Sequence, residues 1–248
     1  DFTKETIKKI SEKGHHVIIT TGRPYRMAKD FYRELELHTP MINFNGSLTH
    51  LPGQAWAHEK CLTLDKKYLL DMVKRTEDIQ ADFIAGEYRK KFYITTPNEE
   101  IADPKLFGVE NFRPENQFKP ERVTKDPNCI LLQTRAEDKY ALADEMNRFY
   151  QHQLAINTWG GPLNILECTP KGVNKAFALE YLLNVMNRDK KDLIAFGDEH
   201  NDREMLAFAG KGYAMKNANP ALLPYADEQI SLTNDQDGVA KTLRALFL

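Results

Sequence analysis

The sequence predicts an α/β protein in which helices flank a parallel sheet and a separate α+β module interrupts the domain. Short continuous apolar runs alternate with amphipathic helical stretches near both ends of the chain, which is typical of strand–helix–strand units with parallel strands. The middle of the chain instead combines helices with neighbouring strand pairs, which is typical of an α+β module. The 248 residues are enough for one large domain or two modest domains.

The α/β domain is predicted to consist of residues 1–57 and 163–248, with the module at 58–162 between them. The β-branched run 16–21 and the apolar run 193–196 each predict a buried strand, continuous rather than alternating as central parallel strands are. The other expected elements are helices near 3–13, 24–37, 62–79, 137–150, 173–181, 201–209 and 239–246, and strands near 41–44, 47–50, 83–85, 88–95, 129–133, 154–159, 164–167 and 212–215.

Composition excludes several classes of protein. Hydrophobic residues make up 42% and charged residues 28% of the chain, which is a folded rather than a disordered mix. The longest apolar runs are far shorter than the roughly 20 residues of a membrane-spanning helix, and we expect no signal peptide. The net charge of −2 gives no overall attraction to nucleic acid or anionic lipid, so neither partner is expected.

The three cysteines are Cys61, Cys129 and Cys168, an odd and widely spaced set. A disulfide framework requires pairs, so we expect reduced thiols that act as small apolar side chains. Reduced thiols are typical of cytoplasmic proteins, and a cytoplasmic location is therefore predicted.

A cluster of polar residues follows the predicted strand 193–196, in the segment Gly197-Asp198-Glu199-His200-Asn201-Asp202. Open α/β sheets bind ligands at the carboxyl ends of their strands. Asp198 and Asp202 are four residues apart, so a helical continuation would place both carboxylates on one side, where Mg²⁺ would offset their repulsion. The alternative is a helix N-terminus whose acidic residues interact favourably with the helix dipole.

Three further segments follow predicted strands and contain groups that bind anions. Thr20-Thr21-Gly22-Arg23 combines hydroxyl groups, a glycine N–H and the start of a helix, and Asn45-Gly46 follows the next strand. Lys175 lies in the first turn of a helix, where a cation is unfavourable unless it faces negative charge. The same residues are also ordinary formers of strands, turns and solvated surfaces, and the patterns leave both interpretations open.

Together these segments resemble motifs of the haloacid dehalogenase superfamily, specifically its Cof-type phosphatases with a large α/β cap. The resemblance spans the chain outside the predicted cap. The matching segments are Thr21-Gly22-Arg23, Asn45-Gly46, Lys175 in a Gly-x-x-Lys-Ala turn, 197–202 as Gly-Asp-x-x-Asn-Asp, 214–218 as Ala-Met-Gly-Asn-Ala with Lys216 replacing the glycine, and 237–239 as Asp-Gly-Val.

The resemblance implies a Rossmann-like three-layer core with a parallel sheet and an inserted α+β cap that closes over the site. It also implies Mg²⁺-dependent hydrolysis of small phosphate monoesters, such as sugar phosphates, through an aspartyl-phosphate intermediate. Lys175 would be catalytic by neutralising the phosphoryl group, and Asp198 and Asp202 would form the metal site, Asp202 through water or neighbouring side chains. The implied phosphate-binding residues are Thr21, Gly22, Arg23, Asn45, Gly46 and Asn201.

One family motif is not matched in this sequence: Asp-x-Asp-Gly-Thr, which contains the nucleophile at the end of the first strand. Family spacing would place it before Asp1, so we expect the native protein to contain a segment that precedes this residue. A non-catalytic relative that binds a phosphorylated ligand is the alternative. A nucleotide-binding or oxidoreductase domain is disfavoured, because no G-x-G-x-x-G or Walker pattern follows a strand.

Overall fold

A computed structural model of the chain describes residues 1–160 and 163–248. The helices are α1 (Phe2–Glu12), α2 (Tyr25–Glu34), α3 (Lys66–Lys74), α4 (Lys139–Phe149), α5 (Lys175–Val185), α6 (Arg203–Phe208) and α7 (Gly238–Phe247). The strands are β1 (Met41–Asn43), β2 (Leu48–His50), β3 (Lys60–Cys61), β4 (Ala81–Glu87), β5 (Phe92–Ile94), β6 (Cys129–Thr134), β7 (Leu154–Thr158), β8 (Ile165–Pro170), β9 (Ile194–Gly197), β10 (Lys211–Ala214) and β11 (Glu228–Gln229).

The chain divides into two compact units. The first contains Asp1–Gly22, Ala28–Lys60 and Asn174–Leu248, and the second contains Arg23–Met27 and Cys61–Val173. The expected cap limits of 58 and 162 remain a prediction, and residue 162 lies outside the described residues. None of the helices in the described ranges combines the length and the apolar character that a membrane crossing requires.

The first unit contains a parallel sheet in the order β11-β10-β9 and a small sheet in the order β1-β2-β3. The parallel register runs from Ile194 opposite Lys211 to Gly197 opposite Ala214. Side chains of this sheet, α5 and α6 form one apolar core together with residues of β1 and of the turn Pro220–Tyr225. Its members include Ile42, Leu179, Leu182, Ala195, Leu206 and Leu222. α6 packs against both β9 and α5, which brings the start of α5 and the end of β9 into one region of the unit.

The segment 16–21 differs from the predicted buried strand. It runs parallel to β1, with Thr20 bridged to Ile42, and Ile42 exchanges hydrogen bonds with Ile19 and Thr21 at 3.0 and 2.9 Å. A strand needs a repeated ladder of such bonds, so this single bridge leaves the segment extended but irregular. Residues 17–20 are accordingly half-buried rather than buried.

The second unit contains a five-stranded sheet in the order β5-β4-β6-β8-β7, with every neighbouring pair antiparallel. Apolar side chains of α3 and α4 pack against the sheet in a separate core that includes Leu69, Met72, Ile84, Leu132, Leu142, Met146 and Leu166. The sequence analysis placed β8 in the α/β domain, whereas β8 pairs with β6 and β7. A continuously buried strand has the same sequence pattern in either sheet, so the pattern does not identify its neighbours.

The predicted fold class is confirmed at the level of these elements. The first unit has parallel strands flanked by helices, and the second has helices against an antiparallel sheet.

Candidate active site

The loop that follows β9 is closed by the side chain of Asp202. Its Oδ2 accepts hydrogen bonds from the backbone N–H groups of Asp198 and Glu199, at 3.0 and 3.1 Å. Gly197 permits this closure, because a Cβ added at Gly197 would lie 2.5 Å from the Cβ of Asp202. The spacing of the two aspartates therefore produces a turn in which the Asp202 carboxylate contacts the backbone of Asp198.

The other oxygen of Asp202 binds Lys175. The ammonium nitrogen of Lys175 donates to Oδ1 at 2.5 Å, and the side chains are only 7% and 6% exposed. Lys175 is the first residue of α5, whose N-cap Asn174 accepts a hydrogen bond from the Phe177 N–H at 2.9 Å. A cation at this end of a helix opposes the helix dipole, and the buried carboxylate of Asp202 offsets that cost.

Asn45 and Gly46 form a tight turn beside the start of α5. Asn45 has a φ of 52° and Gly46 a φ of 112°, both in the left-handed region. A Cβ added at Gly46 would overlap the carbonyl oxygen of Asn174 and lie 3.3 Å from the Cβ of Ala178. Glycine is therefore required here for both its backbone conformation and its lack of a side chain.

Thr21 and Gly22 are joined to the same turn. The backbone N–H of Asn45 donates to the carbonyl oxygen of Thr21 at 3.2 Å. A Cβ added at Gly22 would lie 3.0 Å from the side-chain nitrogen of Asn45. The Asn201 amide also donates to the Asn45 side-chain oxygen at 3.0 Å. Three predicted segments thus meet at Asn45.

Direct contacts connect most predicted site residues within the first unit. They are Thr21, Gly22, Asn45, Gly46, Lys175, Asp198, Asn201 and Asp202. Arg23 begins the segment Arg23–Met27, which belongs to the second unit. Its predicted place beside a phosphate therefore stays a prediction, as do the individual roles of the other residues.

Negative charge accumulates at Asp198. Its side chain is half-buried, and burial raises the pKa of the Asp198 carboxyl, with further increases from the nearby carboxylates of Asp202 and Glu199. The positive charge of Lys175 lowers this pKa and only partly compensates. The carboxylate of Asp198 is thus in a position where a bound cation would be stabilising.

The donor set fits Mg²⁺ rather than a metal that needs a complete protein cage. The described part of the chain contains no group of three or more His, Cys, Asp or Glu side chains able to hold a metal. Mg²⁺ is commonly held by one or two carboxylates, with water and phosphate oxygens completing its coordination. Asp198 supplies such a carboxylate, whereas Asp202 is engaged with Lys175 and two backbone N–H groups.

The weaker motif matches have structural roles that the sequence analysis did not foresee. In the segment 214–218, the N–H of Met215 donates to the carbonyl of Gly197 at 3.0 Å, and the following N–H of Asn219 donates to the carbonyl of Asp198 at 2.8 Å. Asp237 precedes α7 and accepts a hydrogen bond from Thr3 at 2.6 Å. No pattern of hydrophobicity signals these contacts, of which the first two join backbone groups and the third joins two polar side chains.

Comparison with known proteins identifies the family. The family model of the haloacid dehalogenase-like hydrolases matches residues 1–243. The chain belongs to the haloacid dehalogenase-like hydrolases. This match confirms the predicted resemblance, and the phosphatases among the relatives below confirm the predicted enzyme class, a phosphate monoester hydrolase of this family.

Two relatives of this hydrolase are phosphatases of Bacillus subtilis. The chain is 31% identical to the 5-amino-6-(5-phospho-D-ribitylamino)uracil phosphatase YitU, covering 99% of the chain and 90% of the relative. It is 27% identical to YcsE, a phosphatase with the same named substrate, covering 98% and 87%. A solved haloacid dehalogenase-like hydrolase from Bacteroides thetaiotaomicron has the same fold, with a TM-score of 0.84 at 24% identity, covering 98% of this chain and 91% of that one.

Proposed function

We propose that the protein is a Mg²⁺-dependent phosphatase of small phosphorylated metabolites. The observation that carries the proposal is the buried Lys175–Asp202 ion pair, which joins the start of α5 to the loop after β9. That pair lies in one set of contacts with Asp198 and with the turn at Asn45. The pair therefore connects the segments that the sequence analysis singled out for phosphate and metal binding.

The residues of this chain suggest a division of labour. The Thr21 hydroxyl and the Gly22 N–H would bind the transferring phosphoryl group, and the Lys175 ammonium would stabilise its negative charge. The Asp198 carboxylate would hold Mg²⁺, which when bound supplies positive charge that screens carboxylate from phosphate. Asp202 would keep Lys175 in place. We assign nucleophilic attack and protonation of the leaving group to no residue of this sequence.

The second unit would act as the cap that closes over the substrate and excludes water. The relatives suggest the first substrate to test, because YitU and YcsE are both named for 5-amino-6-(5-phospho-D-ribitylamino)uracil. We therefore propose this phosphorylated polyol, or a sugar phosphate of similar size, as the substrate class.

The test is a phosphate-release assay on the protein expressed from its complete gene. We expect turnover of 5-amino-6-(5-phospho-D-ribitylamino)uracil or of a phosphorylated sugar or polyol, loss of turnover in EDTA, and recovery with Mg²⁺. Binding of phosphate without turnover of any of these compounds would overturn the proposal and favour a phospholigand-binding protein. Activity that is unchanged in EDTA would overturn the metal part alone.

Metal binding can be measured separately from turnover. Mg²⁺ should raise the thermal unfolding temperature of the wild type, and Asp198→Asn should abolish this increase because it removes the proposed ligand. Asp144→Asn is the matched control, since Asp144 is exposed on α4 in the second unit. An Asp198→Asn variant that keeps the full Mg²⁺ response would remove Asp198 from the metal site.

A further inference from the structure

Asn45 contacts neighbouring segments of the candidate site through both its backbone and its side chain. Its φ of 52° and ψ of 27° lie in the left-handed region, which asparagine tolerates better than most residues. Its N–H donates to the Thr21 carbonyl at 3.2 Å, and its side-chain oxygen accepts from the Asn201 amide at 3.0 Å. One residue thus contacts the segment before α2 and the loop after β9.

The two segments that Asn45 connects lack a shared strand ladder. Within residues 1–160 and 163–248, the segment 16–21 bridges to β1, whereas β9 pairs with β10 in a different sheet. Backbone pairing therefore does not fix the distance between Thr21 and Asp198. The hydrogen bond from the Asn201 amide to the Asn45 side-chain oxygen, 3.0 Å long, instead joins the two segments directly.

Gly22 adds a steric component to the same link. A Cβ added at Gly22 would lie 3.0 Å from the nitrogen and 3.1 Å from the oxygen of the Asn45 amide. The Asn45 amide is therefore packed against the Gly22 backbone on one side and bound to Asn201 on the other. A side chain held in this way determines where the Gly22 N–H lies relative to the loop that contains Asp198.

We infer that Asn45 and Asn201 are positioning residues, whose mutual hydrogen bond sets the distance between the Thr21-Gly22 segment and the Asp198–Asp202 loop. They act through each other and do not bind phosphate independently, which differs from the role that the family resemblance implies. The inference rests on the proposed phosphatase function. A displacement of about 1 Å between reacting groups is enough to lower a catalytic rate on the order of 10²-fold, so the link bears on kcat more than on binding.

A double-mutant cycle distinguishes the two roles, with Asn45→Ala, Asn201→Ala and the double variant. If the pair positions the loops, each single variant lowers kcat about tenfold and the double variant is little slower than either, because the second change removes a bond already lost. KM and the inhibition constant of inorganic phosphate then stay within about twofold. Asn184→Ala, on the exposed side of α5, is the matched control and should retain the wild-type rate.

Independent phosphate ligands would give a different result, which would overturn the inference. KM and the phosphate inhibition constant would rise in each single variant, and the two effects would multiply in the double variant. If the wild type binds inorganic phosphate but hydrolyses no substrate, the proposed function fails. The affinity for inorganic phosphate, measured by calorimetry, then decides the inference. Asn45→Ala should keep the wild-type affinity if Asn45 is a positioning residue, and it should bind phosphate more weakly if Asn45 is a phosphate ligand.

A second pair of variants keeps the test decisive if the alanine variants fold poorly. Asn45→Asp and Asn201→Asp are nearly isosteric and add the same charge. Asn45→Asp keeps a side-chain oxygen that accepts from the Asn201 amide, whereas Asn201→Asp removes the N–H group that donates this hydrogen bond. We expect Asn201→Asp to lower kcat at least tenfold more than Asn45→Asp. Equal losses in the two variants would contradict a link that depends on this hydrogen bond.

Discussion

Replacing Lys175 with methionine tests the most buried polar contact of the site. The variant keeps the length of the side chain but leaves the Asp202 carboxylate, 6% exposed, without its cation. Removing one partner of a buried ion pair typically costs about 3–5 kcal/mol, because the remaining charge stays buried. Two backbone N–H groups still bind Asp202, at 3.0 and 3.1 Å, so we expect a value near the lower limit.

Thermal unfolding followed by circular dichroism measures this loss. For a protein of this size, about 3 kcal/mol corresponds to a fall in Tm of about 6–12 °C. Lys171→Met is the matched control, since Lys171 is an exposed lysine in the turn before α5 and should change stability by less than about 0.5 kcal/mol. The double variant Lys175→Met/Asp202→Asn should recover part of the loss, because it removes the unpaired charge.

The same variant also tests the proposed role of Lys175 in the reaction. Loss of one preorganised charge from a buried site lowers kcat on the order of 10²–10³-fold. Wild-type turnover in Lys175→Met would refute the catalytic role. A Tm that falls no more than in Lys171→Met would refute the structural argument.

Two further predictions concern one residue in each unit. Gly197→Ala places a Cβ 2.5 Å from that of Asp202, so it should lower the free energy of unfolding by about 1–3 kcal/mol and abolish most of the activity. In the control Gly53→Ala the added Cβ contacts nothing within 4 Å, so this variant should lose about 1 kcal/mol of stability and keep full activity. Equal activities of the two variants would contradict the steric argument. Burial raises the pKa of Glu87 more than Arg26 lowers it, so wild-type stability relative to Glu87→Gln should fall as pH rises above the ordinary carboxyl pKa of about 4.3. Urea unfolding of both proteins measures this difference. A stability of the wild type relative to Glu87→Gln that rises with pH would show that the pKa of Glu87 is lowered rather than raised.

Residue type and spacing predicted which segments of the first unit would meet. Thr21, Asn45, Lys175 and Asp202 each lie at a strand end or a helix start, and these positions are visible as changes of hydrophobic pattern. They meet through hydrogen bonds and an ion pair between loops and helix starts that follow two different sheets, so the single sheet that the pattern predicts is not what joins them. The motif residues could therefore be identified from the sequence, because each of them lies at a recognisable strand end or helix start.

Which strands pair with each other could not be predicted from the sequence in the same way. β8 was placed in the wrong sheet because Ile165-Leu166-Glu167-Cys168 is continuously buried, a pattern that does not distinguish parallel from antiparallel partners. The segment 16–21 has a strong β propensity, yet among the residues that the structure describes it forms a single bridge, because a ladder depends on the partner as well as on the segment. Both errors concern tertiary pairing, and one chain contains little information about it.

The spacing of Asp198 and Asp202 shows how a correct motif was given an incorrect geometry. An i, i+4 pair on a helix would point both carboxylates at a shared cation, but residues 200–202 form a short 3-10 turn before α6. Asp202 consequently turns back to bind the N–H of Asp198 and the ammonium of Lys175. The Asp202 carboxylate thus binds Lys175 and the loop backbone, and the proposed role of metal ligand is left to Asp198. For this reason Asp202→Asn should lower kcat by releasing Lys175, and it should keep the Mg²⁺-dependent rise in Tm that we propose for Asp198.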